Sequence, residues 1–260
     1  GSRTSKGMNI VNLLPLEGGE TISSMNCGRG DDYKYLCMFT RNGIIKRSAV
    51  TEYANIRRTG VIAITLDEGD ELAWVKMTKG NDDIIVATKK GMSIRFNEND
   101  ARPIGRTARG VKAIELAEGD EVIGVATVEE GKSILTVSET GFGRISDFDN
   151  YRIQSRGGKG LINYHTEKNG DVAAVTSVSD DNDIILISSD GIIIRIPADG
   201  ISKFARPSKG VRVMRVSEGE KIVTLTPVEK DEEEAPAEET AEGGATETVE
   251  NGEAPAESPD

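Results

Sequence analysis

Five glycines fall at positions 7, 60, 110, 160 and 210, so the steps between them are 53, 50, 50 and 50 residues. Each closes a short basic loop: Arg3-Thr-Ser-Lys6-Gly7, Arg57-Arg58-Thr-Gly60, Arg106-Thr-Ala-Arg109-Gly110, Gln154-Ser155-Arg156-Gly157-Gly158-Lys159-Gly160 and Arg206-Pro-Ser-Lys209-Gly210. A fixed period of this size marks a repeat architecture, in which one unit cannot bury its apolar face alone and neighbours must cover it.

Every period reads in the same order. After the basic loop comes an apolar run (residues 10–14, 61–66, 111–116, 161–164 and 211–216) and then an acidic turn such as Asp67-Glu-Gly-Asp-Glu71. A second apolar run follows, as in residues 72–77 and 122–128. Two β-branched runs then flank a glycine turn at Gly43, Gly91, Gly141 and Gly191, which is the signature of a hairpin. No stretch sustains a 3.6-residue apolar period beyond about one turn near residues 48–53. The reading is all-β, with four strands per repeat and a propeller-like arrangement of four-stranded blades. A linear β-solenoid is the alternative. Five loops but only four hairpins are present, so the chain is expected to start partway through a repeat of a longer protein. Gly1-Ser2 reads as a tag remnant.

Charge is distributed unevenly. Residues 229–260 hold 13 of the 44 acids and one of the 32 bases, which leaves 31 of each in residues 1–228. The formal net charge of -12 therefore belongs to the tail, whose Glu, Ala, Pro, Thr and Gly cannot bury enough apolar surface to order a chain. A folded body over residues 3–228 and a disordered acidic tail over 229–260 are expected. No run of about 18 apolar residues is present to span a membrane. Cys27 and Cys37 lack metal-ligand spacing, His165 is the only histidine, and no phosphate-binding loop followed by Lys-Ser/Thr occurs. Trp74 is expected in the core. These absences leave little for a catalytic or metal site, and the chain reads as a binding module.

The bases are in phase with the repeat. The loops contribute Arg3, Lys6, Arg57, Arg58, Arg106, Arg109, Arg156, Lys159, Arg206 and Lys209, with Arg102, Lys112, Arg152, Lys203, Arg212 and Arg215 beside them. The hairpins contribute Lys46, Arg47, Arg95, Arg144 and Arg195, along with Arg41, Lys89 and Lys90 at their tips. In a radial arrangement these would form a basic rim, with the acids on an opposite face. A rim of evenly spaced cations suits a phosphate backbone, and glycines let backbone N–H groups approach it. The lack of an aromatic platform favours duplex over single strand.

With these motifs in view, residues 3–228 resemble the DNA gyrase A C-terminal domain. The run Ile10-Val-Asn-Leu-Leu-Pro-Leu16, the Thr40-Arg-Asn-Gly43 and Thr88-Lys-Lys-Gly91 hairpins, and the stretch from Gln154 to Gly160 carry the likeness. The last is similar to the family's heptapeptide Gln-Arg-Arg-Gly-Gly-(Arg/Lys)-Gly, with Ser155 in place of the first Arg. The resemblance implies a six-bladed β-pinwheel with strands exchanged between neighbouring blades, of which about five blades are represented, that wraps duplex DNA on its rim. It implies a non-catalytic role, with ATP and magnesium acting elsewhere in an A2B2 holoenzyme that introduces negative supercoils in the bacterial cytoplasm, at the nucleoid. The family's heptapeptide lies ahead of the Asn-Leu-Leu-Pro-Leu strand, whereas here the near-copy lies after it. The defining heptapeptide is therefore expected to be missing from this chain. The equivalent domain of topoisomerase IV, or a propeller-type scaffold for proteins, are the competing readings.

Overall fold

The computed structural model describes residues 7–9, 12, 14, 16, 18–26, 32–57 and 59–230. Arg3, Lys6, Arg58, Cys27 and the tail from residue 231 lie outside the described residues.

The hairpins form where their sequences place them. They are β1 (Tyr35–Thr40) with β2 (Ile44–Ala49), β4 (Asp83–Thr88) with β5 (Met92–Asn97), β8 (Ser133–Ser138) with β9 (Phe142–Ser146), and β12 (Asn182–Ser188) with β13 (Ile193–Pro197). The second apolar runs become β3 (Leu72–Thr78), β7 (Val122–Thr127), β11 (Val172–Val178) and β15 (Ile222–Glu229), each antiparallel to the first strand of the hairpin before it. These four strands line one shared cavity, with Trp74, Val125, Thr176 and Leu225 among its walls.

The runs after the basic loops behave differently. Only two residues of each pair as strand: β6 (Val111–Lys112), β10 (Leu161–Ile162) and β14 (Val211–Arg212). They do not join the hairpin nearest in sequence. β6 pairs with β2, β10 with β5 and β14 with β9, so each repeat sends a strand back to the outer edge of an earlier blade. From the cavity outward the sheets read β3-β1-β2-β6, β7-β4-β5-β10, β11-β8-β9-β14 and β15-β12-β13. Among the described residues the fourth blade has no outer strand, and Ile192 and Ile193 on its edge are exposed.

The run at 61–66 forms no strand, contrary to its sequence pattern. A strand of this class exists only when an earlier hairpin receives it, and no hairpin precedes β1 among the described residues. The 111–116 run stops pairing after Lys112 because the chain is diverted. Ala113 donates to the Gly43 carbonyl (2.7 Å) and Glu115 to that of Gly158 (2.9 Å).

Both faces of the first three hairpins are covered, so their strand residues of either parity are buried, whereas β13 in the last blade leaves Ile193 and Arg195 exposed. In β4, Ile84 and Val86 pack with Phe39, Ile45 and Phe96 in one cluster, while Ile85 and Ala87 pack with Ile134, Phe148 and Tyr164 in another. A third cluster joins the last two blades through Leu135, Ile145, Ile184, Leu186 and Ile222. Trp74 is only half-buried against the first cluster, with the Arg41 guanidinium 5.2 Å from its ring. Cys37 is a buried free thiol. The turn near residue 50 is a 3-10 helix, Val50–Tyr53, and the acidic stretch after His165 winds into one α-helical turn, α1 (Thr166–Asn169).

Candidate nucleic-acid interface

The period of the loop glycines has a packing cause. A Cβ on Gly110 would lie 2.5 Å from the Ile45 carbonyl oxygen, and one on Gly160 or Gly210 would overlap the carbonyl of Ser93 or Gly143. All three also have positive φ, between +76° and +102°. Each is where an outer strand lies down on an earlier blade, and only glycine fits. Gly60 also has positive φ, +80°, but meets nothing within 4 Å, in keeping with the absent strand after it.

The cations divide into two sets. Those on the hairpin strands are held by protein oxygens, and all but the exposed Arg195 lie inside the fold. Arg47, 2% exposed, forms an ion pair with the fully buried Glu98 (2.9 Å), while its Nη1 donates to the carbonyls of Glu98 (3.2 Å) and Ala101 (3.4 Å) and its guanidinium stacks on Tyr35 (3.7 Å). Arg95, at the same place in the second hairpin, pairs with Asp83 (2.8 Å) and reaches the carbonyls of Phe148 (3.0 Å) and Tyr151 (3.3 Å). In both cases the acceptor is the turn that ends the next hairpin, so these arginines fasten one blade to its successor. Arg195, in the last blade, pairs with Asp183 (2.7 Å) and reaches the Glu229 carbonyl (3.1 Å).

One residue earlier on their strands, Lys46 and Arg144 are fully buried. Lys46 Nζ donates to Ser48 Oγ (2.6 Å) and the Ala63 carbonyl (2.7 Å). Burial pushes its pKa down to about 8, and Arg106 adds to the depression while Glu52 opposes it. Arg144 donates to the backbone carbonyl and Oδ1 of Asn163. The hairpin tips lie against acids rather than on a basic rim. Arg41 pairs with Glu71 (2.6 Å) and Lys89 with Glu121 (3.0 Å), while Asp70 and Asp120 accept backbone N–H bonds from Asn42 and Lys90. The acidic turns are clamps on the preceding hairpin.

The loop cations stay outside. Arg57, Arg102, Lys112, Arg152, Lys159 and Arg215 are exposed, and no salt bridge or side-chain hydrogen bond ties them down among the described residues. Lys209 and Arg212 are also exposed and share the Phe142 ring, at 3.5 and 4.8 Å, which orders them side by side. Lys112 and Arg212 are on outer strands, at the edge of each sheet farthest from the cavity.

Three loop arginines are partly engaged. Arg156 donates to the carbonyls of Asp100 (2.8 Å) and Lys112 (3.0 Å). Arg206 repeats this with Asn150 (2.6 Å) and Ile162 (3.1 Å). Arg109 pairs with Asp67, whose carboxyl is held below its ordinary pKa by that bond. Arg106 is half-buried.

In the near-copy of the heptapeptide, the Gln154 N–H binds the Arg95 carbonyl (2.8 Å), Gly157 has φ +79°, and Ser155 and Lys159 face solvent. It is built as its sister loops are. Sequence reasoning missed the aromatic partner of the basic loops, Phe142, whose signal is its place directly after Gly141 beneath the loop that ends at Gly210.

The family model for the DNA gyrase C-terminal domain, beta-propeller, matches residues 34–79, 82–129, 132–179 and 182–229, one match per hairpin. The chain belongs to this family. Its residues are 52% identical over 215 positions to the DNA gyrase A protein of Clostridium acetobutylicum, covering 82% of this chain and 26% of that protein. They are 40% identical over 221 positions to the DNA gyrase A protein of Haloquadratum walsbyi, with 82% and 26% covered. The chain thus spans about a quarter of the length of these relatives. A solved DNA gyrase A C-terminal domain superposes with a TM-score of 0.75 at 28% identity, covering 86% of this chain and 75% of that one. A topoisomerase IV C-terminal domain superposes with a TM-score of 0.78 at 23% identity, which speaks for the fold alone.

Proposed function

We propose that this gyrase-family domain binds duplex DNA along the outer edges of its blades and bends it there. One observation carries the reading. The loop cations left without a protein partner among the described residues recur in phase with the blades, on edges turned away from the cavity, while the hairpin cations are held by protein oxygens of their own or a neighbouring blade. Phosphates are the ligand for which exposed, regularly spaced Arg and Lys side chains suffice. Bending a duplex by 40–90° costs on the order of 1–6 kcal/mol, which contacts spread over several blades can offset. The domain would act without catalysis of its own, as the C-terminal part of a gyrase A protein. Its partners would be the rest of gyrase A and the gyrase B protein in an A2B2 assembly, where ATP and magnesium serve the other parts and the product is negatively supercoiled DNA. The place of action would be the bacterial cytoplasm, at the nucleoid. No described helix is long and apolar enough to cross a membrane.

Salt dependence tests this. Neutralising about ten phosphates gives a slope of log affinity against log salt of roughly -9. Lys112→Gln with Arg212→Gln should reduce that slope by about 1.8 while leaving the melting temperature unchanged. A slope near zero in the parent chain would overturn DNA binding. A full slope in the double variant would remove these two residues from the contact.

A further inference from the structure

The third residue after each hairpin glycine alternates in character: Lys46, Ile94, Arg144, Ile194. The tenth alternates with it: Tyr53, Ala101, Tyr151, Ile201. The first and third blades therefore place a cation and a tyrosine where the second and fourth place apolar pairs, with Tyr53 and Ile194 half-buried and the others buried. Folding does not demand the polar pair, since half the blades do without it.

The two polar pairs are resolved differently. Lys46 finds two oxygen acceptors and releases its proton with comparative ease, so its burial is relieved. Arg144 also meets two oxygens, but through one nitrogen only, and it lacks the second outlet. A guanidinium keeps its proton in any protein. Its Nη2 is bonded to Asn163 and the Tyr151 hydroxyl lies within hydrogen-bond reach of the guanidinium, but Nε and Nη1 are enclosed and complete no hydrogen bond among the described residues. The Tyr151 hydroxyl beside it donates to Asn163 Oδ1 (2.7 Å), whose amide in turn donates to Thr136 (3.2 Å). The charged or ionisable groups acting on Arg144 are Tyr151, Tyr164 and a second cation, Arg206, with no carboxylate among them. Arg47, Arg95 and Arg195 each meet an acid; among the described residues Arg144 alone of the hairpin-strand arginines does not. An uncompensated buried charge is costly, and orphaned buried donors mark an ion or a water.

We propose that Arg144 holds a small inorganic anion of halide size between the second and third blades, with its free Nε and Nη1 as donors and Arg206 adding positive potential. Positive charge of more than one group with no carboxylate selects an anion over water. The enclosure excludes a DNA phosphate, because the residue is completely shielded from solvent. The bound ion joins β9 to the chain after β10, so it stabilises the contact beneath the loop that ends at Gly210, whose own packing meets the Arg144 Cβ.

The test compares thermal unfolding of the whole chain in sodium chloride and sodium gluconate at equal ionic strength. Each tenfold rise of chloride above its dissociation constant should lift the melting temperature by about 3–5 °C, and gluconate should not. Arg144→Ile with Tyr151→Ala, which installs the pair found in the second blade, should abolish the difference. An equal chloride effect in that variant overturns the proposal. Should the variant not fold, crystals of the parent chain grown in bromide decide. An anomalous peak within hydrogen-bond distance of Nε or Nη1 supports the site, whereas a water or side-chain oxygen there overturns it.

Discussion

Arg47 and Lys159 belong to the same class of residue, each in a basic stretch tied to the repeat, yet one is 2% exposed and the other faces solvent. The difference lies in which strand of the blade supplies them. In the first three blades a hairpin strand is covered on both faces, so a cation on it is enclosed and turns to protein oxygens. A loop leading to an outer strand has a blade on one side only, so a cation such as Lys159 on it stays exposed. Radial position, more than sequence phase, decides whether a base holds the fold or stays exposed to solvent.

The strongest way to break this contrast is to remove Arg47. Arg47→Ala strands the fully buried Glu98, which otherwise accepts from Thr78 Oγ1 (2.7 Å) and from the backbone of Gly80 (2.7 Å) and Asp82 (2.9 Å). Breaking a buried pair from one side costs about 3–5 kcal/mol. Denaturant unfolding should show a loss of that size, whereas Lys159→Ala should change stability by less than about 0.5 kcal/mol. Comparable losses in the two variants would dissolve the distinction.

A smaller effect is expected where the loop meets the blade. Gly160→Ala forces a Cβ against the Ser93 carbonyl at positive φ, and Gly60→Ala adds one at similar φ with open space around it. Strain in φ alone is about 1–2 kcal/mol and is common to both. The clash belongs to Gly160, so its variant should be the less stable by about 1–3 kcal/mol. Equal melting temperatures would show that the outer strand does not press on the hairpin in solution.

Much of this was legible beforehand. The glycine period, the hairpin turns and the inner strands follow from local alternation and φ > 0 chemistry, both written into short windows. The neutral body and acidic tail follow from counting. Strand exchange came only from the family resemblance and was not legible in the local pattern, because residues 111–112 carry the same apolar signal whichever hairpin receives them. The burial of Lys46, Arg47 and Arg144 was hidden for a related reason. The carbonyls and carboxylates they meet come from Ala63, Glu98, Ala101 and Asn163, supplied by the next repeat. The Ile44-Ile45-Lys46-Arg47-Ser48 run reads as a strand with a charged end, and nothing within it says that both faces are covered.

The least of the expected effects separates the buried lysine from its apolar counterparts. The folded protein releases the Lys46 proton near pH 8, whereas an unfolded lysine keeps it to about 10.5. Between those values the unfolded state binds more protons, so stability rises with pH; below 8 both states are protonated and Lys46 contributes no slope. Cys37 works in the opposite sense, because burial pushes its thiol up to about 12 and the unfolded state loses that proton first, so stability falls from about pH 9 upward. Tyr53, also raised by burial, adds to the fall above pH 10. The informative quantity is therefore the difference between the parent chain and Lys46→Ile, which copies the residue at the same place in the second and fourth blades. From pH 7.5 to 9.5 the parent should gain stability relative to the variant, and a constant difference would mean that the buried ammonium keeps its charge through its two oxygen acceptors.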